Sequence, residues 1–424
     1  MIAETKPKLS RSQWGIIFLL AAVNFTHITD FVIIMPLSEQ LMRELAISPE
    51  QFTHIVSVYG LAATVAVLAS AAFIDRFDRR TVLLTAYAGF AISTFFCGLA
   101  DSYAQLLIAR GMAGACGGLA ASAMMAIIGD IFADNRRGTA IGAVSSAFAV
   151  ASVVGLPMGL FLAMHIARGA PFLLLAAASV PVWVAVFWKL PSLTAHRVAR
   201  HLSPWIELYQ AAKNPAHLKS FVFMFSLVMG TFTIIPFLAP YLELNCGQSK
   251  ENIVVMYACA GCITFVSMNL IGRLTDRIGK RPVFLTIAVG CIAMTLTLTN
   301  LPVVSLLGAI LAAAGFMVSA SGRFIPAQAM MLGTAEPRMR GRFTNINTAM
   351  QHFATGMAPW LAGKVVTQAD KHAPLEGYAT AGYIAAGFAL LSILISFTVH
   401  PNAASVPIPI HEPEMELEKV PAHA

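Results

Sequence analysis

QWGIIFLLAAVNFTHITDFVIIMPL, Gln13 to Leu37, is long enough to cross a bilayer as one helix, yet it carries an acid, Asp30, in its second half. About 20 mostly apolar residues at roughly 1.5 Å per residue span the hydrocarbon layer. A carboxylate inside such a run costs a few kcal/mol unless it faces protein or water, so Asp30 is a candidate functional residue from the outset. His27 stands one turn below it and Asn24 one turn lower again, with Thr26 and Thr29 on neighbouring faces. Helical spacing gathers these into a polar stripe, expected to line a cavity and not to touch lipid.

Outward from this stretch, the 424-residue chain is 57% hydrophobic and 12% charged, with a mean hydropathy of +0.72. A soluble globular protein carries about 25% charged residues, so the chain reads as an all-α, polytopic membrane protein. Breaks at charge clusters divide it into twelve spans: 13–37, 52–74, 81–99, 104–132, 138–163, 169–188, 218–242, 252–274, 282–299, 302–333, 342–363 and 377–399. No small-residue cleavage site follows the first run, which is expected to stay in the membrane. The net charge of +7 does not signal nucleic acid, because the basic residues lie in short clusters between apolar runs. With both ends inside, 21 of the 28 lysines and arginines fall on the inner side and 5 outside: Arg43, Arg168, Lys250, Lys364 and Lys371. Arg110 and Arg323 fall within spans. That bias predicts cytoplasmic termini and a multi-pass protein of the plasma (inner) membrane.

The expected organisation is a cytoplasmic N-terminus (1–12), a first six-helix lobe (13–188), a cytoplasmic linker (189–217), a second lobe (218–400) and a disordered acidic tail (401–424). Within the linker, Ser203-Pro204 opens an amphipathic segment through Lys213, expected to lie on the membrane surface. Of six cysteines, Cys97, Cys116, Cys259, Cys262 and Cys291 sit in apolar runs as small hydrophobes. Cys259-x-x-Cys262 lacks a second pair, so no metal or redox centre is expected there; Cys246 lies in an outer loop with no evident disulfide partner.

The two lobes are related in sequence. Asp75-Arg76-Phe77-Asp78-Arg79-Arg80-Thr81-Val82 follows the second span, and Asp276-Arg277-Ile278-Gly279-Lys280-Arg281-Pro282-Val283 follows the eighth, at an offset of 201 residues. Ordinary loop charge does not explain an acid at the same place in both copies, so the chain is a tandem repeat of two six-helix units. These residues resemble the G-x-x-x-D-R-x-G-R-[RK] signature of the major facilitator superfamily, and the likeness runs from end to end. Gly272 to Arg281 matches closely, whereas the first copy has Ala71 for the leading glycine and Asp78 for the internal one. The resemblance implies a twelve-helix fold of two pseudo-symmetric lobes. It also implies a latch on the cytoplasmic side carried by Asp75 and Arg79, with Asp75 docking on the positive end of a neighbouring helix, the eleventh span.

Two further motifs narrow the resemblance. Arg110-Gly111-Met112-Ala113-Gly114 is similar to the family's R-x-x-x-G motif, and Gly155-Leu156-Pro157-Met158-Gly159 to the G-x-P-x-G element of proton-driven exporters. A proline kink with close helix packing accounts for the latter equally well. Gly322-Arg323-Phe324-Ile325-Pro326-Ala327-Gln328, followed by Arg340-Gly341, looks like the sugar- or arabinose-efflux group.

Asp30, Arg110 and Arg323 are the ionisable acids and bases deep in spans. Asp30 and Arg110 lie at similar height in the first and fourth spans, which line the cavity by resemblance, so an ion pair between them is expected. Arg323 has no acid at its depth and must find carbonyls, water, a substrate anion or a polar stripe; Asn347, Gln351 and Thr355 of the eleventh span offer one. His27 either shares a proton with Asp30 or neighbours it through a hydrogen bond. Phe221 to Phe225 of the seventh span is expected to be lipid-facing filler, the rival being a soft surface for an apolar substrate.

The reading is a monomeric secondary transporter that exports a small organic molecule against protons by alternating access. Asp30, Arg110 and His27 would couple protons; Asn24, Arg323, Asn347 and Gln351 would line the cavity. No G-x-x-x-x-G-K stretch points to a bound nucleotide, and neither a cofactor nor a metal is expected. Import or uniport of sugars or organic acids would use the same residues. An enzyme would need paired carboxylates or metal ligands at one depth, and a sensor would need an extended soluble domain.

Overall fold

In a bilayer every backbone N–H and C=O must be paired within its own segment, and a helix does this for apolar runs of such length. The computed structural model describes residues 10–73, 77–132, 134–194, 213–334, 340–370 and 373–400; among them the regular structure is helical, joined by turns and short loops, apart from one β-bridge joining Thr367 to Glu376. Asp75, Arg76, the amphipathic segment up to residue 212 and the acidic tail lie outside the described residues.

Twelve crossings follow in the expected order. They are α1 (Arg11–Ile33), α2 (Pro49–Phe73), α3 (Arg79–Leu99), α4 (Tyr103–Ile131), α5 (in pieces from Asp134–Ser145 to Leu156–His165) and α6 (Ala170–Lys189). The second half adds α7 (Pro215–Phe232 and Ile235–Leu244), α8 (Lys250–Ile278), α9 (Lys280–Thr299), α10 (Leu306–Gly322 and Phe324–Leu332), α11 (Arg340–Val365) and α12 (Tyr378–Ser396). Ten of these are long and apolar enough to cross a membrane unaided. The other two are α5, which is broken, and α11, whose Asn345, Asn347, Gln351 and His352 dilute its hydropathy.

Three spans expected as continuous helices are interrupted, and the reason is the same each time. Proline has no N–H to give the carbonyl four residues back, so the helix gives way there. Pro157 orphans Val153 inside a widened π turn, Ala151–Gly155; Pro236 orphans Phe232, where the first piece of α7 ends; Pro326 orphans Gly322, where the first piece of α10 ends.

Large apolar side chains such as Phe18 (68% exposed), Leu307 (65%) and Trp188 (79%) ring the outside, a surface matched to lipid tails and not to water. Of Phe221 to Phe225 only Val222, 40% exposed, belongs to that ring, contrary to the reading of the stretch as filler. Phe221, Phe223 and Met224 are buried. Phe221 stacks on Phe343 of α11 at 5.4 Å, Phe223 meets Phe284 of α9 at 5.1 Å, and Phe225 stacks on Phe353 at 6.0 Å. Offset and edge-on ring pairs of this kind make the cluster the core of the second half.

The halves meet through α2 against α11 and α5 against α8. Both contacts depend on glycine. A Cβ on Gly60 would stand 2.5 Å from the Gly356 nitrogen, and one on Gly261 would stand 2.7 Å from the Ser152 carbonyl oxygen. Gly60 and Gly261 are 201 residues apart, as are Gly155 and Gly356, so the repeat makes nearly the same backbone contact twice. The same offset relates Phe31 to Phe232, and these two rings touch across the halves at 5.5 Å.

The two ends of the bundle differ. The basic end carries Arg79, Arg80, Lys280 and Arg281. At the far end the halves are joined by Lys250 Nζ to Glu39 Oε2 at 2.8 Å and by an ion pair of Lys364 with Glu50. Cys246 lies in a far-end connection as a buried free thiol, its Sγ 3.4 Å from the Leu301 carbonyl oxygen.

Because Gly60 meets backbone and not a yielding side chain, Gly60→Ala should cost about 1–3 kcal/mol through overpacking. Thermal unfolding in detergent should show a lowered midpoint, while Gly387→Ala, whose Cβ would meet nothing within 4 Å, should not lower it. Equal midpoints for the two variants would refute the close approach of α2 and α11.

Candidate functional site

Near the end of α1, Asp30 points into the first half and has no exposed surface; neither has Arg110 of α4. Arg110 Nη1 donates to Asp30 Oδ2 at 2.8 Å and to the Asp30 carbonyl oxygen at 3.1 Å. The matched depth of the two residues in the sequence therefore corresponds to a direct contact. The guanidinium carbon lies 4.3 Å from the centre of the Tyr59 ring on α2, so the arginine is held between a carboxylate and an aromatic face. Two opposite charges taken out of water are tolerable only as a pair, and removing either strands the other. Among the described residues Nε and Nη2 of Arg110 have no hydrogen-bond partner, so the arginine has donors to spare if the carboxylate is neutralised.

The rest of the polar stripe on α1 divides. Asn24 Nδ2 donates to the Val144 carbonyl oxygen of α5 at 3.0 Å, so this amide ties two helices together instead of lining a cavity. Thr26 Oγ1 lies 2.8 Å from the Tyr87 hydroxyl on α3. His27 makes no hydrogen bond to Asp30; its ring packs near Phe90 (5.8 Å), Tyr59 (6.0 Å) and His352 of α11 (6.4 Å). Gly117 leaves it the room, since a Cβ there would stand 2.6 Å from His27 Nε2.

On α11, Asn347 and Gln351 are half-buried and Asn347 Oδ1 has no hydrogen-bond partner, whereas Thr355 is turned back on its own helix at the His352 carbonyl. Arg323 does not use this stripe. Fully buried at the break of α10, it reaches α7, where Nη2 donates to the Leu227 carbonyl and to Thr231 Oγ1, both at 2.9 Å. Two members of the site escaped the sequence reading. Tyr59 looked like ordinary apolar content of α2, and His352, a histidine inside a membrane span, was the signal passed over for the amides on either side of it.

A match to the Major Facilitator Superfamily model covers residues 20–322 and 272–420. The chain belongs to the Major Facilitator Superfamily. Its relatives include the Bacillus subtilis (strain 168) MFS-type transporter YceJ, 25% identical over 85% of this chain and 92% of that one. A probable 4-methylmuconolactone transporter of Cupriavidus pinatubonensis is 29% identical over 69% of this chain and 68% of its own. The multidrug resistance protein MdtG of Yersinia enterocolitica is 23% identical, covering 79% and 82%. Among solved structures, a bacterial homologue of the human lysosomal transporter Spinster, inward-facing and occupied, shares the fold with a TM-score of 0.66 at 16% identity over 92% of this chain and 97% of that one.

The superfamily's signature loop explains its own irregular first copy. Gly279, between α8 and α9, takes φ +108°, a conformation suited to glycine. Asp78, the matching residue, turns instead through an ordinary extended conformation (φ −61°, ψ 126°) and caps α3 by accepting from the Arg80 N–H at 3.0 Å. It also accepts from Ser192 Oγ at 2.6 Å and the Leu193 N–H at 2.9 Å. Arg79 Nε reaches Asp130 Oδ2 of α4 at 3.3 Å, a contact within its own half, and Arg80 packs on the Phe187 ring of α6 at 5.1 Å. In the second copy Lys280 Nζ donates to the Ala329 carbonyl at 3.1 Å and Arg281 Nη2 to that of Val399 at 3.0 Å. Gly272 has open space around it, and Asp276 and Arg277 are exposed. Asp75, assigned to the latch with Arg79, and Arg76 of the same motif lie outside the described residues.

The helix-5 element shows the proline kink and the close helix packing. Pro157 follows the widened turn, and the missing side chains of Gly155 and Gly159 admit Thr29 and Ile33, the residues of α1 on either side of Asp30. The kink therefore seats the helix that carries the buried acid.

Removal of one partner from the buried pair should be costly. Arg110→Ala is expected to lose about 3–5 kcal/mol of stability, and the neutral double variant Asp30→Asn with Arg110→Gln should recover most of it. Additive losses in thermal unfolding, with no recovery, would mean the two side chains do not depend on each other.

Proposed function

We propose that this transporter exports a small organic molecule in exchange for protons, by alternating access between its halves, as a monomer in the plasma (inner) membrane with its basic end and both termini in the cytoplasm. One observation carries the reading: Asp30, fully buried inside the membrane domain, is paired with an arginine that has spare donors. Protonation of that carboxylate releases Arg110 toward the Tyr59 ring and the centre of the protein, so proton uptake and a rearrangement at the site become one event. His27, next to His352 and not to Asp30, would respond to the same change from the cavity side, where Asn347, Gln351 and Arg323 would meet the substrate. The far-end ion pairs support a form closed at that end and open toward the basic one. A multidrug resistance protein and a probable 4-methylmuconolactone transporter among the relatives support a small organic cargo. One proton entering at 100 mV contributes about 2.3 kcal/mol, enough for roughly fifty-fold accumulation.

The test uses proteoliposomes and a panel of lipophilic cations, sugars and small carboxylates. Asp30→Asn should abolish proton-driven accumulation of the transported compound while leaving its exchange across the membrane, which needs no net proton transfer, largely intact. Uphill transport by the Asn variant at the wild-type rate removes Asp30 from the coupling.

A further inference from the structure

The two halves share a frame but not a charge balance. In the first, the Arg110 guanidinium faces Asp30. In the second, the residue 201 positions after Asp30 is Thr231, and it is to Thr231 that Arg323 donates, at 2.9 Å. An arginine of α10 thus faces α7 as Arg110 of α4 faces α1, although the two arginines are not counterparts at that offset (Arg110 matches Leu311 and Arg323 matches Ser122), and a neutral hydroxyl stands where the first half has its carboxylate. Among the described residues no carboxylate pairs with Arg323, although its side chain has no exposed surface. The Leu227 carbonyl and the Thr231 hydroxyl take hydrogen bonds from Nη2, while Nε and Nη1 have no partner. A guanidinium has five N–H donors, so three remain for an acceptor that the described residues do not supply. A buried cation offset only by dipoles favours an anion strongly.

The position also fits a ligand held between the halves. Thr231 is the neighbour of Phe232, whose ring touches Phe31 of the other half at 5.5 Å, and Phe31 is the neighbour of Asp30. The paired arginine and the unpaired one therefore flank the same aromatic contact. From this geometry we infer that Arg323 binds the carboxylate of a small organic anion, with Thr231 fixing the guanidinium by accepting from it. This deepens the export reading by giving the cargo a chemical class, and it rests on that reading only in calling the ligand cargo.

Purified protein in detergent at neutral pH, titrated with sodium benzoate and with sodium chloride at matched ionic strength, tests it through the unfolding midpoint. Benzoate should stabilise the wild type saturably and beyond chloride. Thr231→Asp, which places a carboxylate beside Arg323 as Asp30 stands beside Arg110, should weaken the apparent benzoate affinity at least about tenfold, as should Arg323→Gln; Thr231→Ser should retain it. Thr231→Asp leaves the arginine in place, so the test survives should Arg323→Gln not fold. Undiminished benzoate binding in Thr231→Asp, no benzoate effect in the wild type, or an equal effect from chloride each overturns the assignment. The readout needs no gradient, so a negative result leaves proton-coupled export standing, and a failure of coupling in liposomes leaves the binding result intact.

Discussion

The pairing of Asp30 with Arg110 sets the terms for the rest of the molecule. A carboxylate in hydrocarbon has to be enclosed, and the enclosure is built from neighbours that each give up something: Gly155 and Gly159 their side chains, Tyr59 its ring face, α5 its regular turn at Ala151–Gly155. Each of these features is explicable alone as packing. Together they fix α1 against α5 and α4, so the acid meets its arginine and not lipid.

Duplication accounts for the frame and selection on the site for its asymmetry. Glycines recur at the repeat offset at Gly60 and Gly261, and at Gly155 and Gly356; Gly60, Gly261 and Gly356 meet backbone across the halves, where almost nothing larger fits, whereas Gly155 makes room for the Thr29 side chain. Where side chains carry chemistry the copies diverge: Asp30 against Thr231, Asp78 against Gly279. The second of these shows how a loop keeps its course when its glycine is lost, through a carboxylate that caps the next helix and holds the chain at Ser192 and Leu193.

The crossings, the internal repeat and the depth of the buried charges were legible in the sequence because hydropathy and loop charge are summed over many residues. What was not legible depends on single contacts. Asn24 looked like a cavity residue until the Val144 carbonyl on α5 took its amide, and periodicity on one helix says nothing of a carbonyl on another. Phe221, Phe223 and Met224 are as apolar as lipid-facing residues, so composition cannot separate core from belt inside a membrane. The breaks in α5, α7 and α10 were foreshadowed by Pro157, Pro236 and Pro326, yet proline is common in membrane helices and hydropathy windows average over it.

The contact between Phe31 and Phe232 is self-complementary, because a residue touches its own counterpart from the other half. It lies beside Asp30 on one helix and Thr231 on the other, and the apolar cluster that continues from it toward the far end draws on both halves. Two phenyl rings in van der Waals contact leave no polar group for a file of water molecules to follow, and narrow apolar constrictions empty of water on their own. A contact of this kind interrupts, at that point, any continuous wire of hydrogen bonds between the two ends of the bundle.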